Sequence, residues 1–236
     1  MLTAHHRSPP TDNALSCIFA FTAGAINSGG FLAIGQYTSH MTGILASISD
    51  NLILGATNSA LWAAVAITIF CTGAAFSAYL INRLRAKFWG RQFAGLILLE
   101  ALLILAFGMV GRVGSGTDVS FGVLAGLLCF IMGLQNATIT KITRARMRTT
   151  HVTGILTDIG IRIGNGQTKP NHHLSSLFVL RLVFLMFFAG GLIGAICFSA
   201  FGYGFCIPLA VLLILIAIPP LTKSYKVPIT KEVTHE

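Results

Sequence analysis

One carboxyl group, Glu100, stands about midway along an otherwise uncharged apolar run, Phe93 to Val110. An ionised carboxylate in hydrocarbon costs several kcal/mol unless it is paired, protonated or wetted. This residue type in this place therefore points to proton coupling or cation binding, or else to a protonated carboxyl bonded to a neighbouring helix through Gln135 or Asn136. A second pattern occurs twice, about 110 residues apart: Thr38-Ser39-His40-Met41-Thr42-Gly43-Ile44-Leu45 and Thr149-Thr150-His151-Val152-Thr153-Gly154-Ile155-Leu156. Each copy follows an apolar stretch carrying a Gly-x-x-Asn step, Gly24 to Asn27 and Gly133 to Asn136. The Thr-Gly steps offer a hydroxyl, a flexible backbone and exposed peptide groups, with His40 and His151 beside them as donors, acceptors or titrating groups. The segments that follow, Ile44 to Leu54 and Ile155 to Ile163, can restart as short helices, which is the signature of a broken helix. Irregular backbone at membrane depth is tolerated only where protein buries it or water reaches it. A restarted helix also aims its positive end at such a place, favouring an anion or a carbonyl-bearing solute. The plainer reading makes Thr42 and Thr153 caps of interfacial helices, with the histidines among headgroups.

The elements that must hold these groups are set by composition. Of 236 residues, 54% are hydrophobic and 10% charged, and the mean hydropathy is +0.79, which excludes an ordinary water-soluble domain. A helix crosses the hydrocarbon layer in about 20 residues. Six apolar runs reach toward that length: Leu15 to Gly35, Ala60 to Ile81, Phe93 to Val110, Val119 to Ile139, Leu174 to Ala200 and Phe205 to Leu221. The first is weakened by Asn27-Ser28-Gly29-Gly30, and the last ends at the helix-stopping pair Pro219-Pro220.

Basic residues alternate between the connections. Arg83, Arg85, Lys87 and Arg91 follow the second run, Lys141, Arg144, Arg146, Arg148, Arg162 and Lys169 follow the fourth, and Lys223, Lys226 and Lys231 lie in the tail. The connections after the first and fifth hold none, and the one after the third holds Arg112. Short basic loops stay cytoplasmic, so both termini are expected in the cytoplasm of a bacterial inner-membrane protein. The formal charge of +9 is thus topological, and its division among three segments without interleaved aromatics argues against nucleic acid as a partner.

The fold expected is an all-α membrane protein of six transmembrane helices built as two three-helix repeats. Residues 1–14 form a cytoplasmic segment, 15–111 the first repeat, 112–222 the second and 223–236 a cytoplasmic tail. An odd number of spans per repeat forces the second copy to enter from the opposite side, so the repeat is inverted and the two Thr-Gly phrases face opposite compartments. Phe70, Gly73, Ala74, Ser77 and Ala78 match Phe187, Gly190, Gly191, Gly194 and Ala195, and such small-residue stripes let helix backbones approach closely. Gly73, Ser77, Gly190 and Gly194 are therefore placed at the repeat interface.

Other chemistry is poorly represented. Five cysteines lie in or beside apolar runs without paired spacing, and His5-His6 and His172-His173 lack an accompanying carboxylate cluster, so no metal site or disulfide framework is expected. No phosphate-binding glycine loop, nucleophile elbow or cofactor motif is present in the sequence, and an enzyme is not expected.

The order Ala23-Gly24-x-x-Asn27, Phe31-Leu32-Ala33-x-Gly35, Met41-Thr42-Gly43, Glu100, Met132-Gly133-Leu134-Gln135-Asn136-Ala137 and Thr149-Thr150-x-x-Thr153-Gly154 resembles the YoaK-like family of bacterial multipass membrane proteins over nearly the whole chain. The resemblance implies a small inner-membrane protein and supplies no established substrate or reaction. Asn27 and Ile44 depart from the aspartate and asparagine that relatives often carry there.

These features lead to a small permease or channel for a small solute, with Asn27, His40, Thr42, Gly43, Glu100, Gln135, Asn136, His151, Thr153 and Gly154 along its pathway. The alternative is a non-transporting scaffold or regulator that binds a partner, or a second copy of itself as a homodimer, through small-residue faces. A polar passage reaching Glu100 favours the first, and dry packing around the Thr-Gly steps favours the second.

Overall fold

The computed structural model describes residues 9–87, 91–114, 118–143, 149–166 and 174–222; the side chains of Arg85 and Lys87 and the residues Arg144, Arg146, Arg148, Lys169, Lys223, Lys226 and Lys231, with both His pairs, lie outside its description. The described chain is helical: α1 (Pro9–Ile34), α2 (Met41–Ile53), α3 (Thr57–Lys87), α4 (Gln92–Gly114), α5 (Asp118–Ile142), α6 (Val152–Gly164), α7 (Leu174–Phe201) and α8 (Cys206–Thr222).

Among the described residues five apolar stretches are long enough to cross a membrane, rather than six separate ones. The difference lies at the carboxyl end, where Phe178–Pro219 is one uninterrupted apolar stretch of 42 residues. Its only break is a 3-10 turn, Gly202–Phe205, which joins α7 to α8 without a polar loop. Gly202 starts that turn at φ +54°, a left-handed angle that glycine adopts without a side-chain penalty.

Two sequence signals for breaks do not act as breaks. Helix α1 continues through Asn27-Ser28-Gly29-Gly30, because packing replaces what propensity loses: Gly29 lies under the Phe205 ring and Gly30 against Leu128. Likewise α8 passes Pro219-Pro220 and ends at Thr222, so the pair lies in the last turn of the helix.

The helices pair as α1 with α7, α3 with α5 and α4 with α8, and α4 also lies against α3 and α5. The first two pairs cross on bare backbone. A Cβ on Gly24 would overlap the carbonyl oxygen of Phe187, and one on Gly190 would overlap that of Phe21. The other crossing repeats the arrangement, Gly133 against Phe70 and Gly73 against Phe130. Four glycines thus form two glycine-to-carbonyl crossings at positions that the sequence aligns. Without a strong hydrophobic drive between helices in lipid, such close approach is the available source of attraction. Gly194 extends the α1 crossing along Ala25, and at its matched position Ser77 meets Thr138 across α5 at 2.9 Å. Because the Thr138 hydroxyl donates to the Leu134 carbonyl, Ser77 is the donor between them.

The main core gathers Phe19, Ile26, Leu96, Ile97, Ile104, Phe107, Leu128, Met132, Phe205 and Leu213 from α1, α4, α5, the 3-10 turn and α8. A smaller cluster forms where Ile155 of α6 lies over Val179, Leu180 and Val183 of α7 and Ala20 of α1.

Candidate functional site

The ten sequence-predicted pathway residues fall into three places. Two are matched junctions at which a loop returns to a short helix. Helices α2 and α6 are 13 residues each, too short to cross a bilayer on their own. His40 and His151 hold the N-cap positions with nearly the same backbone, φ −95°, ψ 64° and φ −88°, ψ 60°, and neither side chain caps the helix. Their carbonyls accept the first helical bonds, from Ile44 and Ile155 N–H at 3.1 Å each. Thr42 and Thr153 are therefore inside the first turn, exposed, and do not cap; the cap reading drawn from sequence is corrected here.

The glycines after them have a local cause. A Cβ on Gly43 would strike the His40 ring, and one on Gly154 the His151 ring, so each histidine folds back over the glycine three residues on. Both rings are exposed and can swing away. Gly43→Ala and Gly154→Ala are accordingly expected to change stability by no more than about 0.5 kcal/mol, read by thermal unfolding in detergent.

Each junction is tied to a long helix. Ser39 Oγ donates to Asn27 Oδ1 at 2.8 Å, and Thr150 Oγ1 donates to Asn136 Oδ1 at 2.6 Å. Asn136 Nδ2 in turn donates to the Met132 carbonyl at 2.8 Å. The asparagine of each Gly-x-x-Asn step thus holds the loop before the matched Thr-Gly step. Sequence reasoning missed Ser39 and Thr150 as the bonding hydroxyls, although both stand in the repeated phrase. The end of each short helix is matched too, with Gly55 at φ +74° after α2 and Gly166 at φ +61° after α6.

The third place is the bundle interior. Glu100 on α4 and Gln135 on α5 are both 0% exposed, and Gln135 Nε2 donates to Glu100 Oε1 at 2.7 Å. Of the two partners that sequence allowed, Gln135 is the one used. Glu100 Oε2 and Gln135 Oε1 are buried without hydrogen-bond partners. No Lys, Arg or His among the described residues pairs with the carboxyl. Buried polar atoms in folded proteins nearly always find partners, so two orphans on one bonded pair mark a site with chemistry still open.

With that geometry in place, residues 15–218 match the family described as "Protein of unknown function (DUF1275)". The chain belongs to the DUF1275 family. No curated protein and no solved structure matches it. The match covers both junctions and the Glu100–Gln135 pair, so in this DUF1275 member all ten pathway candidates lie inside the family region.

The structure does not bring the ten residues into one chamber. A cavity of about 790 Å³ opens between the end of α1, α3 and the start of α5, lined by residues that include Ile34, Gln36, Trp62, Ile69, Phe121 and Gly126. Neither Glu100 nor any residue of the Thr-Gly steps lines it. Its small floor residues, Gly122, Ala125 and Gly126, leave no motif that a sequence scan would single out.

Proposed function

We propose that this membrane protein is a small permease of the bacterial inner membrane, with both termini cytoplasmic, in which two inverted halves move a small solute past Glu100. The observation that carries the reading is the Glu100–Gln135 bond: one ionisable group, fully buried, joined to an amide on the helix that opens the other half, with one oxygen of each unpartnered. Burial of such a group in a membrane bundle is costly and is characteristic of ion and substrate pathways. The exchange of partners supports the two halves, since α1 lies on α7 and α3 on α5, and glycine crossings recur at matched positions. The tied junctions at Asn27 and Asn136 would then be the two ends of the pathway, facing opposite compartments.

The scaffold reading is favoured by one observation, that the 790 Å³ cavity does not reach Glu100. Reconstituted protein separates the two. Solute-dependent flux in proteoliposomes, falling at least tenfold in Glu100→Gln, supports the permease; flux unchanged by that substitution removes Glu100 from the pathway, and no flux for any of a broad solute panel favours the scaffold. Cysteines introduced at Ser39 and Thr150 should react with an impermeant maleimide from opposite sides of the membrane. Reaction of both from one side would refute the inversion.

A further inference from the structure

We infer that the ion held at Glu100 is a proton, carried by the carboxyl itself, and not a bound metal or ammonium ion. Its use in coupling rests on the permease reading; its presence does not. The donors and acceptors of the site decide the class. Beyond the 2.7 Å bond from Gln135 Nε2, an ionised Glu100 and the Gln135 amide oxygen would present only acceptors, and both Glu100 Oε2 and Gln135 Oε1 lack a donor. Two like acceptors left facing apolar surroundings need a positive charge or a hydrogen between them and their neighbours.

A metal ion does not suit the place. Hard cations take a cage of oxygens, about six to eight for calcium and six for magnesium. The pair itself offers only two uncommitted side-chain oxygens, Glu100 Oε2 and Gln135 Oε1, and the main core that holds its two helices is apolar. No group of three or more His, Cys, Asp or Glu comes together among the described residues. A proton needs neither cage nor volume. Placed on Oε2, it changes an orphan acceptor into a donor and removes the buried charge.

Among the described side chains, no charged group on the elements around α4 is bonded to the carboxyl. The described side chains there include Cys71, Tyr79 and Arg83 on α3, Cys129 and Lys141 on α5, Tyr203 in the 3-10 turn and Cys206 on α8, with Arg112 on α4 itself, while Arg85 and Lys87 of α3 and Asp118 of α5 lie outside the described side chains. Arg83, Lys141 and Arg112 are exposed near helix ends, and Glu100 is bonded to none of them.

The chain's three glutamates are Glu100, Glu232 and Glu236, which makes the group spectroscopically separable. In Glu232→Gln/Glu236→Gln protein, grown with side-chain ¹³C-glutamate and reconstituted in lipid, Glu100 is the sole labelled carboxyl. At neutral pH its infrared spectrum should show a protonated carbonyl band that moves with the label. A carboxylate spectrum alone would overturn the inference. Glu100→Gln should remove the band, but the doubly substituted protein decides even where that variant does not fold. Flux assays are read separately: their failure with the band present ends the permease reading and leaves the proton site standing.

Discussion

Gln135→Leu is expected to destabilise the protein by about 1–3 kcal/mol, and Glu100→Leu by a similar amount, because each leaves the other member of the 2.7 Å pair buried without a partner. Changing both to leucine should recover most of the loss. Leucine is close in volume to either side chain, the site is already apolar around them, and replacing both polar partners by apolar groups is often near neutral. Thermal unfolding of the two single variants and the double variant in one detergent gives the coupling directly. Simple additivity of the two losses would show that the pair is not a closed unit. On the permease reading the double variant is stable and inactive, a combination that separates a functional carboxyl from a structural one.

The second large effect belongs to the glycine crossings. Gly24→Ala, Gly190→Ala, Gly73→Ala and Gly133→Ala each put a methyl group into a backbone carbonyl, where no side-chain rotation gives relief. The helices must separate, and each substitution should cost about 1–3 kcal/mol or more. The pattern of combinations is more telling than any single value. Gly24→Ala with Gly190→Ala act on one crossing, so once α1 and α7 have parted for the first methyl the second should cost less than alone. Gly24→Ala with Gly133→Ala act on different crossings and should add. Gly160→Ala in α6, with open space around it, is the control, and should stabilise by up to about 1 kcal/mol through helix propensity. Equal losses at Gly160 and Gly133 would mean that close backbone contact is not what holds the helices together.

The helices were legible because apolar runs of membrane length leave few alternatives to α-helix, and the restart of short helices after Thr42-Gly43 and Thr153-Gly154 was visible in the repeated phrase. Their first residues were not. The helices begin three residues earlier, at Met41 and Val152, after a loop that Ser39 and Thr150 fix to Asn27 and Asn136, and sequence spacing does not contain that long-range bond. Glu100 was conspicuous by charge alone, but the choice between Gln135 and Asn136 needed coordinates. Adjacent residues point about 100° apart on a helix, so only one of them can face α4 while the other faces the Thr150 loop. The last two runs, Leu174 to Ala200 and Phe205 to Leu221, coincide with α7 and α8; what sequence did not show is that the Gly-Tyr-Gly-Phe turn between them, which carries no charge, leaves one apolar stretch from Phe178 to Pro219.

That turn also bears on how the molecule comes to be assembled. Tyr203 at its tip lies against Gly111 and Gly108 of α4, edge-on to Phe107 and Phe198, while Leu209 and Leu213 of α8 close the same core that surrounds Ile97 and Ile104. A ribosome delivers α4 long before α8, so in the growing chain the wall beside the carboxyl-bearing helix lacks its last panel. Helices α7 and α8, joined without a polar loop, then dock at different places, α7 on α1 and α8 on α4, with the aromatic tip of the turn seated in the glycine notch. The core along the carboxyl-bearing helix is then closed by the last helix to leave the ribosome.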